Sequence, residues 1–224
     1  MRYRAHRSAR SRAWLLASAL LLAGSAGGAA GAPPLRTPGD RAGLEREADR
    51  RLDELYRRPG ADLRRYRGAI VEPVALAEDL ETGDDYRYEE SDLRFVQRQF
   101  RERVVAALAP DLALVEEPGP GVLRLRLTLT EIRSNRRPLD RGPEAPRHVL
   151  SASRGVGAAA MQLELRDASS GELLLAAADR YQGWDFTDNL NLNTTWGDAE
   201  RAFDAWGRIL RRLLEGGRAP TAAR

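Results

Sequence analysis

The sequence predicts an α+β fold: a two-layer sandwich in which two helices pack on one face of a sheet of about five strands, mixed or antiparallel, in the order β-α-β-β-β-β-α. Three observations carry that expectation. Leucine returns at every second position from Leu123 to Leu129, which is the period of a half-buried strand. Two stretches, Ser91–Ala109 and Thr195–Leu214, repeat apolar residues at helical spacing. Between them lie two further apolar runs joined by "ASSG", a four-residue hairpin loop with Gly171 suited to a left-handed backbone.

Taken in order, Gly31–Gly39 is a Pro/Gly-rich spacer. Asp40–Arg58 places Leu44, Ala48, Leu52 and Leu55 at helical spacing and reads as a short amphipathic helix stopped by Pro59-Gly60. Tyr66–Leu76 ("YRGAIVEPVAL") reads as a nearly continuous apolar strand, central in the sheet, whose pairing ends or bulges at Pro73 because proline has no N–H to donate. Ala77–Glu90 is an acidic loop. Ser91 is the expected cap of the next helix, with Leu93, Val96, Phe100, Val104 and Leu108 on one stripe and Pro110 ending it. Asp111–Glu117 is a short strand.

Pro118–Gly121 forces a reversal, since proline presets φ and glycine supplies the positive φ of a turn. The long strand that follows aims Leu123, Leu125, Leu127 and Leu129 at the helices and Arg124, Arg126, Thr128 and Thr130 at water. Arg133–Gly155 is a polar excursion. Val156–Asp167 and Glu172–Gln182 are strands, and Gly183–Thr195 is a polar, Asn-rich loop holding Trp184 and Phe186. In the last helix Thr195 and Asp198 form an expected capping box, and Trp196, Phe203 and Trp206 fall on the apolar side. In domain terms, residues 1–32 are an expected signal peptide, 33–58 the spacer and helix, 59–215 one α+β domain, and 216–224 a disordered tail.

The signal-peptide reading rests on charge and length. Met1–Arg12 is basic, Ala13–Ala23 is an apolar run of 11 residues, and small residues follow, with cleavage expected after Ala30 or Ala32; the alternative is an uncleaved leader, the one case in which membrane contact is expected. Eleven apolar residues fall short of the roughly 20 that span a bilayer. All 36 basic residues are arginine, and five of them precede Ala13. Without them the body carries 31 Arg against 33 Asp and Glu, so it offers no positive field for nucleic acid. There is no cysteine, which excludes disulfides, thiolate metal sites and thiol nucleophiles.

Four blocks in order resemble a family of bacterial envelope lipoproteins, domain-of-unknown-function family 3313. They are Arg57–Val74 ("RRPGADLRRYRGAIVEPV"), the turn and strand "EEPGPGVLRLRLTLTEI", the hairpin Met161–Arg180, and the closing helix Trp196–Leu213. The resemblance implies an exported envelope protein and supplies no catalytic residues. Members are commonly lipid-anchored, but at "LAGS" Ser25 stands where acylation requires cysteine, so no lipid anchor is expected here.

Candidate chemistry is sparse. His148 is the one histidine of the body; a Ser-His-Asp arrangement would draw on Ser151 or Ser153, yet no G-x-S-x-G turn is present. Asp84, Asp85, Glu89 and Glu90 are acidic enough to attract Ca²⁺ but lack the order of a dedicated loop. Glu164 is expected to pair with Arg124 and Arg126 across strands. No catalytic, cofactor or metal residue is assigned. The candidates for partner contact are the loop aromatics Trp184 and Phe186 and the basic cluster Arg133, Arg136 and Arg137, with Arg141 beside it as a surface for anionic lipid phosphates.

The functional expectation is a non-catalytic periplasmic or secreted domain that binds an unidentified envelope protein or ligand. Two alternatives stand beside it: a hydrolase using His148 or a carboxylate pair, and an assembly component acting through the sheet edge or the Asp40–Arg58 helix.

Overall fold

In the computed structural model the described residues are 41–83, 88–135, 157–183 and 195–216. The leucine alternation forms the long strand as expected. We number strands and helices in chain order; this strand, Val122–Arg133, is β6. Leu123, Leu125 and Leu129 have no exposed surface and Leu127 keeps 2%. Strict alternation fails at the far end of β6, where it would bury the charge of Glu131 in the apolar layer and expose Ile132. A β-bulge between Leu129 and Glu131 resolves the conflict. One extra residue shifts the parity, so Ile132 joins the core while Glu131 turns to the opposite face.

Among the described residues the sheet has eight strands, not about five, while the α+β class stands. Its order is β1 (Glu45–Arg46), β2 (Glu54–Arg57), β8 (Leu173–Gln182), β7 (Ala158–Asp167), β6, β3 (Gly68–Val71), β5 (Ala113–Leu114). β4 (Ala75–Thr82) pairs in parallel with the end of β6, beyond the stretch that pairs with β3. The β3–β6, β3–β5 and β4–β6 pairings are parallel and the others antiparallel. The outermost strands of this order are two residues long, and β4 bulges between Leu76 and Glu81. Short and bulged edges offer little backbone to an added strand.

Helix α1 (Glu90–Leu108) and helix α2 (Gly197–Leu214) cover the leucine face. The layer between them is aromatic. Phe100 stacks on Phe203 at 4.5 Å between ring centroids, and Trp206 lies 5.3 Å from Phe100. Gly207 permits the close approach of the helices, because a Cβ there would sit 3.0 Å from the Cβ of Ala107. Arg103 ties the pair at the surface through Asp204 at 2.7 Å and Glu200 at 3.1 Å. The core reading of Trp196, Phe203 and Trp206 holds, at 6%, 0% and 3% exposure.

Four expectations need correction. Asp40–Arg58 is no amphipathic helix but carries the β1–β2 hairpin. β8 leaves one backbone edge unpaired, and β2 satisfies it while burying Leu55; that gain outweighs a narrow four-residue helical stripe. The sheet therefore takes in residues from the expected spacer span.

Second, the apolar run from Tyr66 breaks at Glu72-Pro73 into β3 and β4, which lie toward the edge of the sheet rather than at its centre, and residues 77–82 of the acidic "loop" belong to strand β4. The carbonyls freed near the break, Val71 O and Val74 O, accept from Arg101 at 3.1 Å and Gln97 at 2.6 Å. Third, α1 begins before Ser91, with the Glu89 N–H donating to Asp92 at 3.1 Å. Fourth, the outer face is only partly wet. Leu173, Ala176 and Ala178 form a second small core with Leu44 and Tyr56. Expected turns do appear at Gly121 and Gly171, whose φ values are +71° and +74°.

Candidate functional site

Strand β6 and both helices run between two ends of the molecule, and polar organisation concentrates at the end where β6 finishes and the helices start. Here the chain leaves the described body at Asn135 and returns at Gly157, then leaves at Gly183 and returns at Thr195. All four stems are tied together. The Asn135 side chain donates to Asp198 Oδ2 at 2.6 Å and accepts from the Asp198 N–H at 3.1 Å. The Gly157 N–H donates to the same carboxylate oxygen at 3.0 Å. The Asn135 N–H reaches Thr195 O at 2.8 Å, and the Gly183 N–H reaches Gly157 O at 2.9 Å. Asp198 is 1% exposed and sits in the first turn of α2, where the helix dipole favours its charge.

The expected Thr195–Asp198 capping box is therefore absent. Trp196 is the N-cap, and Asp198 turns inward to Asn135 instead. Two glycines make room for it. A Cβ on Gly183 would overlap the Asp198 carboxylate, and one on Gly157 would lie 2.8 Å from Asn135 Oδ1 and 3.0 Å from Asp198 Cβ. Tyr88 braces the same corner: its hydroxyl donates to Ile132 O and accepts from the Ser134 N–H, both at 3.1 Å.

On the outer face beside this clamp, Glu131 is gripped by Arg180 at 2.5 and 3.0 Å and by Arg133 at 2.8 Å. The register explains the reach. Glu131, Ala160 and Arg180 occupy one row across β6, β7 and β8, and the small alanine leaves the space the arginine crosses. Next along are Arg133, Ala158 and Gln182. Two strand spacings separate the ends of such a row, roughly 10 Å.

Of the sequence-predicted contact residues, Arg133 is therefore a structural ion-pair partner of Glu131 as well as a stem residue. Arg136, Arg137, Arg141, Trp184 and Phe186 lie outside the described residues, as do His148, Ser151, Ser153, Asp84 and Asp85. The structure does bring together the points from which the basic segment and the aromatic segment leave the sheet. Sequence reasoning missed the clamp, although an Asn at the end of a strand and glycines at both loop margins were visible.

Other polar groups resolve into architecture. Arg124 and Arg126 pair with Glu72, each at 3.1 Å, and not with Glu164, which bonds Arg166. Glu72 wins because the Pro73 break leaves it alongside both guanidinium groups. Glu90 pairs with Arg94 one helical turn on. Among the described residues, no group of three His, Cys, Asp or Glu side chains could hold a metal ion. At the hairpin end the Tyr66 hydroxyl donates to Asp167 at 2.8 Å, tying the segment after Pro59-Gly60 to the turn before Gly171. Asp167 also accepts from the N–H groups of Ser169 and Ser170, both at 2.9 Å. The Ser170 amide, followed by Tyr66, holds its carboxyl below the usual range.

Among the described residues Asp179 is the carboxyl with a strong upward shift, to about 6, mainly through burial and with the charge of Asp53 adding to it. It accepts from the Trp206 indole at 2.6 Å and the Asp53 N–H at 3.1 Å, between β8, β2 and α2. A raised folded pKa contributes stability that is complete below the unfolded value near 3.8 and is lost as pH rises through about 6. Relative to Asp179→Asn, the native chain should lose about 2 kcal/mol between pH 4 and pH 7.5, the shift discounted for partial exposure. Urea titrations across that window test it, and a constant difference would contradict it.

The family model described as "Protein of unknown function (DUF3313)" matches residues 36–210. A comparison with curated proteins finds no match. Among solved structures, the PelC dodecamer from Paraburkholderia phytofirmans is similar at 14% identity and a TM-score of 0.39, covering 71% of this chain and 95% of that one. A DUF4136 family protein from Bacteroides thetaiotaomicron is similar at 8% and 0.37, covering 77% and 97%. Lipoprotein GNA1162 from Neisseria meningitidis is similar at 12% and 0.35, covering 56% and 90%. Likenesses at these values carry nothing about role or assembly to this chain. The family match spans well over half the sequence, and on it the chain belongs to the DUF3313 family of proteins of unknown function.

Proposed function

We propose that the protein is an exported, non-catalytic domain of the cell envelope that binds a partner through the end of the sheet built on the Asn135–Asp198 clamp. The observation that carries the reading is the convergence of the stems. Arg133 and Gln182 share a row about 10 Å across, so the segments bearing Arg136-Arg137 and Trp184/Phe186 start side by side on a rigid base. Aromatic and arginine side chains are the residue types enriched among the hot spots of protein interfaces. The leader-like Met1–Ala32 supports export. Among the described residues, no helix is long and apolar enough to cross a membrane.

The test places a photo-crosslinking residue at Phe186 and, separately, at exposed Glu117 near the other end of β6, in cells expressing the full chain. The expected result is one discrete adduct from position 186 that is reduced about tenfold by Trp184→Ala, no adduct from 117, and mature protein in the periplasm or medium starting near Gly31 or Pro33. Equal crosslinking from both positions, or protein retaining Met1 in the cytoplasm, overturns the reading.

A further inference from the structure

The opposite end of the molecule, where α1 and α2 finish, holds a cleft of about 350 Å³. Its apolar lining is Leu63, Leu108, Leu112 and Leu214, leucines that the fold needs for its core and whose flanks also face the opening. Its polar lining is Arg64, Arg67, Arg211, Asp111, Glu215 and Tyr66. Most of these charges are already matched. Arg211 pairs with Asp111 at 2.6 Å and Glu215 at 3.1 Å, and Arg64 pairs with Asp62 at 2.8 Å. The Tyr66 hydroxyl is held by Asp167.

Arg67 differs. Its Nη1 donates to the carbonyls of Arg64 at 2.7 Å and Tyr66 at 3.4 Å, which fixes the guanidinium in place without neutralising it. Among the described residues it has no carboxylate partner. The partial negative charge of the two helix C-termini opposes an anion here. Arg211 in the last turn of α2 and Arg64, whose side chain packs over Gly216, are committed to carboxylates, so the positive charge left for an anionic head is that of Arg67. A preset, uncommitted cation on the rim of a leucine-floored cleft is complementary to a ligand with one anionic head and one apolar body. The volume lies at the low end of small-molecule sites, enough for a single chain and too small for a two-chain lipid.

We propose that this cleft binds a single-chain anionic amphiphile, with its alkyl chain against Leu63, Leu108, Leu112 and Leu214 and its head on Arg67. The site is about a strand's length, roughly 35 Å, from the loop end, so it stands or falls independently of the partner reading. Isothermal titration of the full chain with dodecanoate, below its micelle concentration, should show saturable 1:1 binding. Arg67→Ala should weaken it about tenfold and Arg67→Lys by less than threefold. Dodecanol and dodecyltrimethylammonium should each bind at least tenfold more weakly. Leu112→Trp, which fills the cleft, should abolish binding; because that variant risks misfolding, exposed Arg67 is the deciding position. No saturable dodecanoate binding, equal binding of the cationic amphiphile, an inert Arg67→Ala, or association with phosphatidylglycerol vesicles in place of dodecanoate each overturns the proposal.

Discussion

A Gly183→Ala variant is expected to unfold at markedly lower urea than the native chain, with a loss of about 3–5 kcal/mol. The added methyl would occupy the space of the Asp198 carboxylate, which is nearly inaccessible to solvent and already bonded by Asn135 and Gly157. The oxygen that both partners bond, Asp198 Oδ2, is the atom nearest the added methyl, so clearing the methyl moves it off both. Its displacement strands two buried donors, each costing about 1–3 kcal/mol when unsatisfied, and moves a charge away from the start of α2. Backbone conformation is not the cause, since Gly183 is not among the glycines with positive φ.

Gly171→Ala is the contrast. There φ is +74° and nothing lies within 4 Å of the added carbon, so only left-handed strain of about 1–2 kcal/mol is expected. A double-mutant cycle separates overlap from other effects. In an Asp198→Ala background the Gly183→Ala step should cost less than 1 kcal/mol, because the group it collides with is gone. Full additivity of the two losses would refute the clamp.

The clamp also marks the limit of what the sequence discloses. Local pattern was sufficient wherever one element dictates its own burial. The leucines of β6, the stripe of α2 and the Gly171 hairpin all stand where their spacing places them. Pattern failed where a distant partner decides. Leu55 sits at helical spacing with Leu52, yet an unpaired edge of β8, over a hundred residues later, draws it into strand β2. Asp198 has the position of a helix cap, yet Asn135 offers both a donor and an acceptor in a buried corner. One signal was legible and went unused. In "LTLTEIR" the charge of Glu131 falls on the buried parity and Ile132 on the exposed one, which is the signature of a bulge. Reading it would have placed Glu131 on the outer face but not named Arg180 as its partner.

That partnership supports the second large effect. Glu131→Ala and Arg180→Ala should each destabilise the protein by about 3 kcal/mol, since each removes the two-pronged partner of a largely desolvated charge. The side chains are 2% and 12% exposed, and the contact is two-pronged, at 2.5 and 3.0 Å. Glu131 holds the Arg180 guanidinium more firmly protonated than an isolated arginine. Arg133 also reaches Glu131 but is itself 45% exposed, so it softens the Arg180→Ala loss without cancelling it. Replacing both partners by apolar residues, Glu131→Leu with Arg180→Met, should return stability to within about 1 kcal/mol of native, because burying an ion pair costs nearly as much as its attraction yields. The coupling energy of about 2 kcal/mol or more should persist in 0.5 M salt, whereas the exposed Arg126–Glu72 pair should lose most of its smaller contribution there. A double variant as unstable as the sum of its singles, or a coupling that vanishes with salt, would mean that the row through Ala160 is solvated and that the outer face beside the loop stems is not the rigid base described.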